Sequence, residues 1–277
     1  MCMKTLLVPV PEQPSAAVFD CAISFAHVFG SLVEGMALAP DLSRTIAAEF
    51  PIDPHYIDPD NRRDMVTTAR RHFEQQMQQA QLPRCADKVT GPCYRWAMDE
   101  LGEDGRVASY ARLFDLVVLA RPEQRRDGSR IATVETILFE SGRPVLLVPP
   151  AIPKAIGRRV VIAWNGSLET ARAIAFAMPI LLQAERAIVL HLEGWEVDGP
   201  RASDQVEFLK RHGVNAELAS RPLVSGPGES IMKQAHDLGA DLIIKGAYTQ
   251  SRLRQMIFGG ATSHLLAHTD VPMFIAH

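Results

Sequence analysis

Three glycines and three cations in the last part of the chain carry its clearest chemical signal. Gly246 closes the apolar run Leu242-Ile-Ile-Lys245, and Gly259-Gly260 leads into Ala261-Thr262-Ser263. A glycine placed directly after a buried strand lets a ligand approach bare backbone. A helix beginning at Gly260 would aim its first N–H groups at an anion. Lys245, Arg252 and Arg254 add positive charge to the same stretch. The chemistry on offer is phosphate binding. An equally economical reading is that the glycines serve only tight turns, with Gly259-Gly260 a loop-to-helix junction.

Other reactive side chains point less far. His264 and His268 stand four apart, on one face of a helix, but a metal site needs a third ligand and only Asp270 is near. A histidine late in a helix also complements the helix dipole, and that reading is preferred. His55, Asp53 and Asp58 form a looser group without metal-like spacing, read as surface loop, and His191 reads as a core or pocket-lip residue. The chain has no nucleophile elbow, no lysine-bearing phosphate loop and no dinucleotide fingerprint after a strand. It therefore reads as a non-enzyme without machinery for rapid phosphoryl transfer. Gly226-Pro-Gly228 precedes a helix and is read as a Pro-rich first turn. The four cysteines, Cys2, Cys21, Cys85 and Cys93, lack C-x-x-C spacing. They suggest a reducing cytoplasm, with no structural disulfide and no bound metal, and Cys21 reads as a buried hydrophobe.

The elements that must position these residues occur twice. Leu6-Leu-Val-Pro-Val aligns with Val160-Val-Ile-Ala-Trp, and Leu32 with Arg186, an offset of 154 in both cases. Later, Asp115-Leu-Val-Val-Leu-Ala aligns with Asp241-Leu-Ile-Ile-Lys-Gly at an offset of 126. The first copy is thus longer between its second and fourth strands, and the surplus is assigned to the stretch from 40 to 60 and the helix after it. Each copy reads as five strands alternating with four helices. In the second copy the strands fall near 159–164, 186–192, 214–219, 241–246 and 271–276, and the helices near 168–183, 202–212, 228–238 and 260–268. Runs of Val, Ile and Leu belong to strands buried on both faces, as in a parallel sheet. The fold class is therefore α/β, two tandem five-stranded parallel-sheet domains of Rossmann-like type, at 1–150 and 155–277. Ligands in such sheets bind beyond the carboxyl ends of the strands, at the topological switch point.

Composition excludes more than it identifies. Lys+Arg at 29 against Asp+Glu at 32 is no nucleic-acid footprint. No apolar stretch is long enough to span a bilayer. The opening Met1-Cys-Met-Lys-Thr-Leu-Leu-Val-Pro-Val reads as a first strand and not as a signal peptide.

The second copy resembles the universal stress proteins. Their ATP signature is Gly-x-x-Gly, nine residues, then Gly-(Ser/Thr), after the fourth strand; here Gly246 and Gly259 match. Trp164-Asn-Gly-Ser167 is similar to the family's Asp-Gly-Ser turn after strand one, and Thr269-Asp-Val-Pro272 to its C-terminal signature. The departures are Thr249 for the second glycine, Gly260 for Ser/Thr, and Asn165 for Asp. They imply weaker or altered binding. The resemblance implies ATP or another adenine nucleotide as ligand, no metal, and a binding set of Asn165, Gly166, Ser167, Leu192, Gly246, Thr249, Gly259, Gly260, Ala261 and Thr262. The first copy has Arg121-Pro122-Glu123-Gln124 and Pro11-Glu12-Gln13 at the equivalent places and keeps none of the glycines. The resemblance also implies pairing of domains through their last strands, Val145–Val148 and Val271–Ala276. Three functions remain open: a cytoplasmic stress sensor or scaffold that binds nucleotide in the second domain, an interaction module that binds none, and an enzyme of the related adenine-nucleotide α-hydrolase group. That group shares the general fold, but the second-domain pocket offers no nameable general base or nucleophile. An unidentified protein and a second copy of the chain are the expected partners; nucleic acid and membrane are not.

Overall fold

The computed structural model describes residues 3–40, 58–86, 91–122, 131–153, 155–248 and 260–277. They form two compact units, Met3–Ser141 and Gly142–His277.

The first unit holds β1 (Thr5–Val10), α1 (Ala16–Phe29), β2 (Leu32–Ala37), α2 (Pro59–Gln79), β3 (Cys93–Trp96), α3 (Asp104–Ala111), β4 (Leu116–Ala120) and α4 (Ile131–Glu140). Its strands lie in the order β3-β2-β1-β4, all parallel. The second unit holds β5 (Val145–Val148), β6 (Arg159–Trp164), α5 (Leu168–Leu181), β7 (Arg186–Glu193), α6 (Ala202–Arg211), β8 (Ala216–Pro222), α7 (Pro227–Asp237), β9 (Leu242–Gly246), α8 (Ala261–His268) and β10 (Met273–Ala276). Its strand order is β5-β10-β9-β6-β7-β8. All neighbours are parallel except β5 and β10, which run antiparallel with Met273 opposite Leu147 and Ile275 opposite Val145. The last strands of the two repeats therefore pair, within the second unit.

Local sequence explains where elements start and stop. Gly30 takes φ +63 and returns its N–H to the Ala26 carbonyl, which ends α1 with the left-handed cap that glycine adopts most cheaply. Asp58 caps α2 by accepting from the N–H groups of Asp60 and Asn61, ahead of Pro59 in the first turn. One clamp recurs in both repeats. Asp115 accepts from the N–H groups of Lys4 and Thr5, and Asp241 from those of Gly157 and Arg159, so the carboxylate before the fourth strand fixes the start of the first.

The extra length of the first repeat lies partly in α2, which has 21 residues where α6 has 10. Residues 41–57, the other stretch to which the surplus was assigned, fall outside the described residues, with His55 and Asp53. Phe73 docks the long helix. It is fully buried and meets Phe19 edge-on at 6.1 Å, Tyr94 at 6.0 Å and Trp96 at 5.7 Å. Gly35 makes the space, since a Cβ there would stand 2.8 Å from the Phe73 ring. Phe73→Ala removes the ring from a site that glycine cannot refill. Chemical denaturation should show a loss of about 3–5 kcal/mol.

Candidate functional site

The crevice in the second unit lies between the carboxyl ends of β6 and β9, where the chain leaves adjacent strands for α5 and α8. Helix α5 begins on Ser167, whose Oγ accepts from the Thr170 N–H at 3.2 Å. Asn165 Oδ1 accepts from the Ser167 N–H at 3.3 Å and from the Thr170 hydroxyl at 3.0 Å. Both side chains are buried. The acceptor that the resemblance placed in the binding set is thus engaged in shaping the turn that starts α5.

Gly246 has a different role from the one its position suggests. A Cβ there would fall 2.3 Å from the Thr170 nitrogen and 2.5 Å from the Glu169 carbonyl carbon. The first turn of α5 takes the space, so this glycine admits a helix and not a ligand. Gly166, at φ +84, lies against Gly199, where a Cβ would stand 2.2 Å from the Gly166 oxygen.

Lys245 is the feature that spacing undervalued. Its Nζ donates to the Gly246 carbonyl at 2.6 Å and to Thr262 Oγ1 at 2.8 Å, in a side chain only 2% exposed. Thr262 Oγ1 also accepts from the Tyr248 N–H at 3.4 Å. Tyr248 itself takes φ +55, a left-handed conformation that costs a non-glycine residue about 1–2 kcal/mol. One threonine hydroxyl thereby ties the end of β9 to the first turn of α8. Gly260 is the N-cap of that helix and Ala261 its first residue. Leu192 is buried within β7. Thr249 and Gly259 lie outside the described residues, as do Arg252 and Arg254. The signal that could have singled out Lys245 was in the sequence: a lysine inside an otherwise apolar strand. Its counterpart in the first repeat, one residue before Ala120, is Leu119.

The segment after β7 folds over this turn. Val197 N–H donates to the Asn165 carbonyl at 2.9 Å, and Trp164 Nε1–H donates to the Pro200 carbonyl at 3.1 Å. Trp195 brings its ring centroid to 5.9 Å from Lys245 Nζ, within reach of a cation–π contact. Sequence reasoning passed over this tryptophan because nothing local marks it. Beside it, a cavity of about 440 Å³ is lined by Trp164, Asn165, His191, Glu196, Arg201 and Leu218. His191 Nε2 lies 2.5 Å from Glu196 Oε1, which makes it a pocket-lip residue.

On α8 the His264 and His268 rings stack at 4.6 Å. Asp270, the third ligand that spacing offered, pairs with His236 Nε2 at 2.7 Å. Among the described residues no group of three His, Cys, Asp or Glu side chains is placed to hold a metal.

The sequence model of the universal stress protein family matches residues 157–277. This half of the chain is a universal stress protein domain. Two curated relatives agree. Universal stress protein Slr1230 of Synechocystis sp. is 24% identical over 167 residues, covering 58% of this chain and 57% of that one. Stress response protein NhaX of Bacillus subtilis is 40% identical over 53 residues, covering 19% and 32%. The matches thus span about half the length of one relative and a third of the other. The crystal structure of a universal stress protein from Archaeoglobus fulgidus overlays 99% of this chain and 96% of its own, with a TM-score of 0.71 at 15% identity. The tandem fold of the whole chain is accordingly that of a universal stress protein. No helix among the described residues is long and apolar enough to cross a membrane.

Burial lowers the Lys245 ammonium to about 8 from its ordinary 10.5, against an opposing pull from the Glu169 carboxylate. Between these values the unfolded chain binds more protons than the folded one, so stability rises with pH across the window. Below about pH 8 the penalty for a buried charge is complete. Lys245→Met should therefore shrink the gain in denaturation midpoint that the native chain shows between pH 8 and 10. A second substitution tests the packing. Gly246→Ala should force the first turn of α5 outward and lower stability by about 1–3 kcal/mol in the same assay.

Proposed function

We propose that this chain is a cytoplasmic stress-response sensor or scaffold that binds an adenine nucleotide in its second unit and does not turn it over. The observation that carries the reading is the buried Lys245, bonded to Thr262 in the first turn of α8. A cation and a helix N-terminus converge there at the switch point of the sheet, an arrangement suited to phosphate. The residues fit the two ends of a nucleotide unequally. Lys245, Thr262 and the start of α8 would hold the phosphates, and Trp195 offers an aromatic face for the base. Asn165 adds little, because its oxygen is already used within the turn.

Nothing in this arrangement activates a nucleophile. Asn165, Ser167 and Thr170 hydrogen-bond among themselves, and Lys245 bonds Thr262, which suits holding a ligand rather than transforming it. The first unit, with Leu119 and Ala120 in place of Lys245 and Gly246, is assigned a structural or partner-presenting role. A second reading has one observation in its favour: the Val197 to Pro200 backbone already covers the turn at Asn165, as it would in an interaction module without nucleotide.

Titration calorimetry with ATP, ADP, AMP and cyclic AMP, followed in parallel by tryptophan fluorescence, separates the two. The expected result is one nucleotide per chain, with Lys245→Met weakening ATP more than adenosine. A stoichiometry of two would overturn the assignment to the second unit. No binding by any of the four would leave the interaction module standing.

A further inference from the structure

Strand β8 ends the strand order of the second unit, and among the described residues it pairs with β7 alone. The ladder begins with the Ala187 N–H donating to the Asn215 carbonyl at 2.8 Å, and alternate residues of β8 continue it. The backbone groups of Ala216, Leu218 and Ser220 therefore point away from β7. Arg221 reaches this open edge, where its Nη1 donates to the Ser220 carbonyl at 2.8 Å. The end strand of the first unit is treated differently. There the Tyr94 N–H of β3 donates to the Pro83 carbonyl at 2.9 Å, and the Cys85 N–H to the Tyr94 carbonyl at 2.8 Å, so a short segment covers the outer edge. On β8 the large apolar side chain of Leu218 is 45% exposed, which leaves a greasy spot midway along the uncovered strand.

We propose that two copies of the chain pair antiparallel through β8, about a twofold axis at Ala219. Charge and proline on an edge strand can equally serve to refuse partners. Here their spacing decides. Glu217 and Arg221 stand symmetrically about Ala219, so in this register each Glu217 faces the second copy's Arg221. Opposite charges directly across an antiparallel pair attract, and a register shift of two residues breaks both pairings. The outward backbone groups fit the same register. Leu218 of each chain exchanges both hydrogen bonds with the second copy's Ser220, and the Ala216 N–H meets the carbonyl of the second copy's Pro222. Pro222 has no N–H to give, so the ladder closes there. Arg221 releases the Ser220 carbonyl to the second copy's Leu218 N–H and turns to Glu217. Glu217 keeps the Arg186 bond through Oε1, at 2.5 Å, and offers its second oxygen. The two Leu218 side chains meet diagonally across the axis, which covers apolar surface that a single chain leaves to water.

Sedimentation velocity on the full chain over a concentration series tests the pairing. The mass should rise with concentration to that of two chains and no further. Leu218→Pro removes an N–H that β7 does not use, so it should spare the fold and abolish the dimer. Arg221→Glu sets like charges across both pairings and should weaken association roughly tenfold. Mixing Arg221→Glu chains with Glu217→Arg chains should restore a dimer that neither forms well alone, because each glutamate again meets an arginine. Ala219→Cys reads the register. Its thiols would face one another across the axis in a pair that is not hydrogen-bonded, so mild oxidation should link two chains where the native chain stays unlinked. Circular dichroism checks that each variant folds, and the Ala219→Cys and mixing results stand even if Leu218→Pro does not. Three results would overturn the proposal: a single-chain mass at every concentration, a dimer untouched by both Leu218→Pro and Arg221→Glu, or no cross-link through Ala219→Cys.

Discussion

The first turn of α5 rests on the bare backbone of Gly246, and the geometry of the second unit's crevice follows from that contact. With no Cβ at Gly246, the helix can start low enough for Asn165 to reach Ser167 and Thr170 and hold the turn between β6 and α5. Close seating of one helix on one side of the strand leaves the other side of β9 to Lys245. Among the described residues that side chain bonds Thr262 and the Gly246 carbonyl, lies near the Trp195 ring and feels the Glu169 carboxylate. A buried ammonium is costly in a low-dielectric interior.

The two repeats show what is structural and what is local to one unit. Both retain the aspartate that clamps the first strand from the start of the fourth, since any copy of this sheet needs its strands in register. Only the second has the lysine, the glycine after it and the Asn-Gly-Ser turn. The first repeat has instead enlarged its second helix and filled the room above Gly35 with Phe73. Its sheet therefore closes over aromatic packing on the face that α2 covers.

Much of the fold was legible in the sequence because buried parallel strands leave unbroken apolar runs and the repeat supplies each element twice. Helix and strand positions in the second repeat fall within a few residues of the periodicity. The site was legible only in part. Asn165, Ser167, Gly246 and Thr262 are brought to the same crevice, but spacing cannot tell a glycine that admits a ligand from one that admits a helix, as at Gly246. Nor could local pattern place Trp195 beside Lys245, because a loop residue reaching across the sheet leaves no period.

The antiparallel pairing of β5 with β10 has a consequence for how the chain can be divided. A fragment starting at residue 155 would contain every element of the second repeat, yet it would lose the strand that covers β10. Met273, Phe274 and Ile275 would then line a naked, apolar edge, the kind that recruits strands from other chains. The repeats are therefore not severable at the linker that separates them in sequence. The cut that leaves the second sheet whole falls before β5, inside what the repeat pattern counts as the first copy.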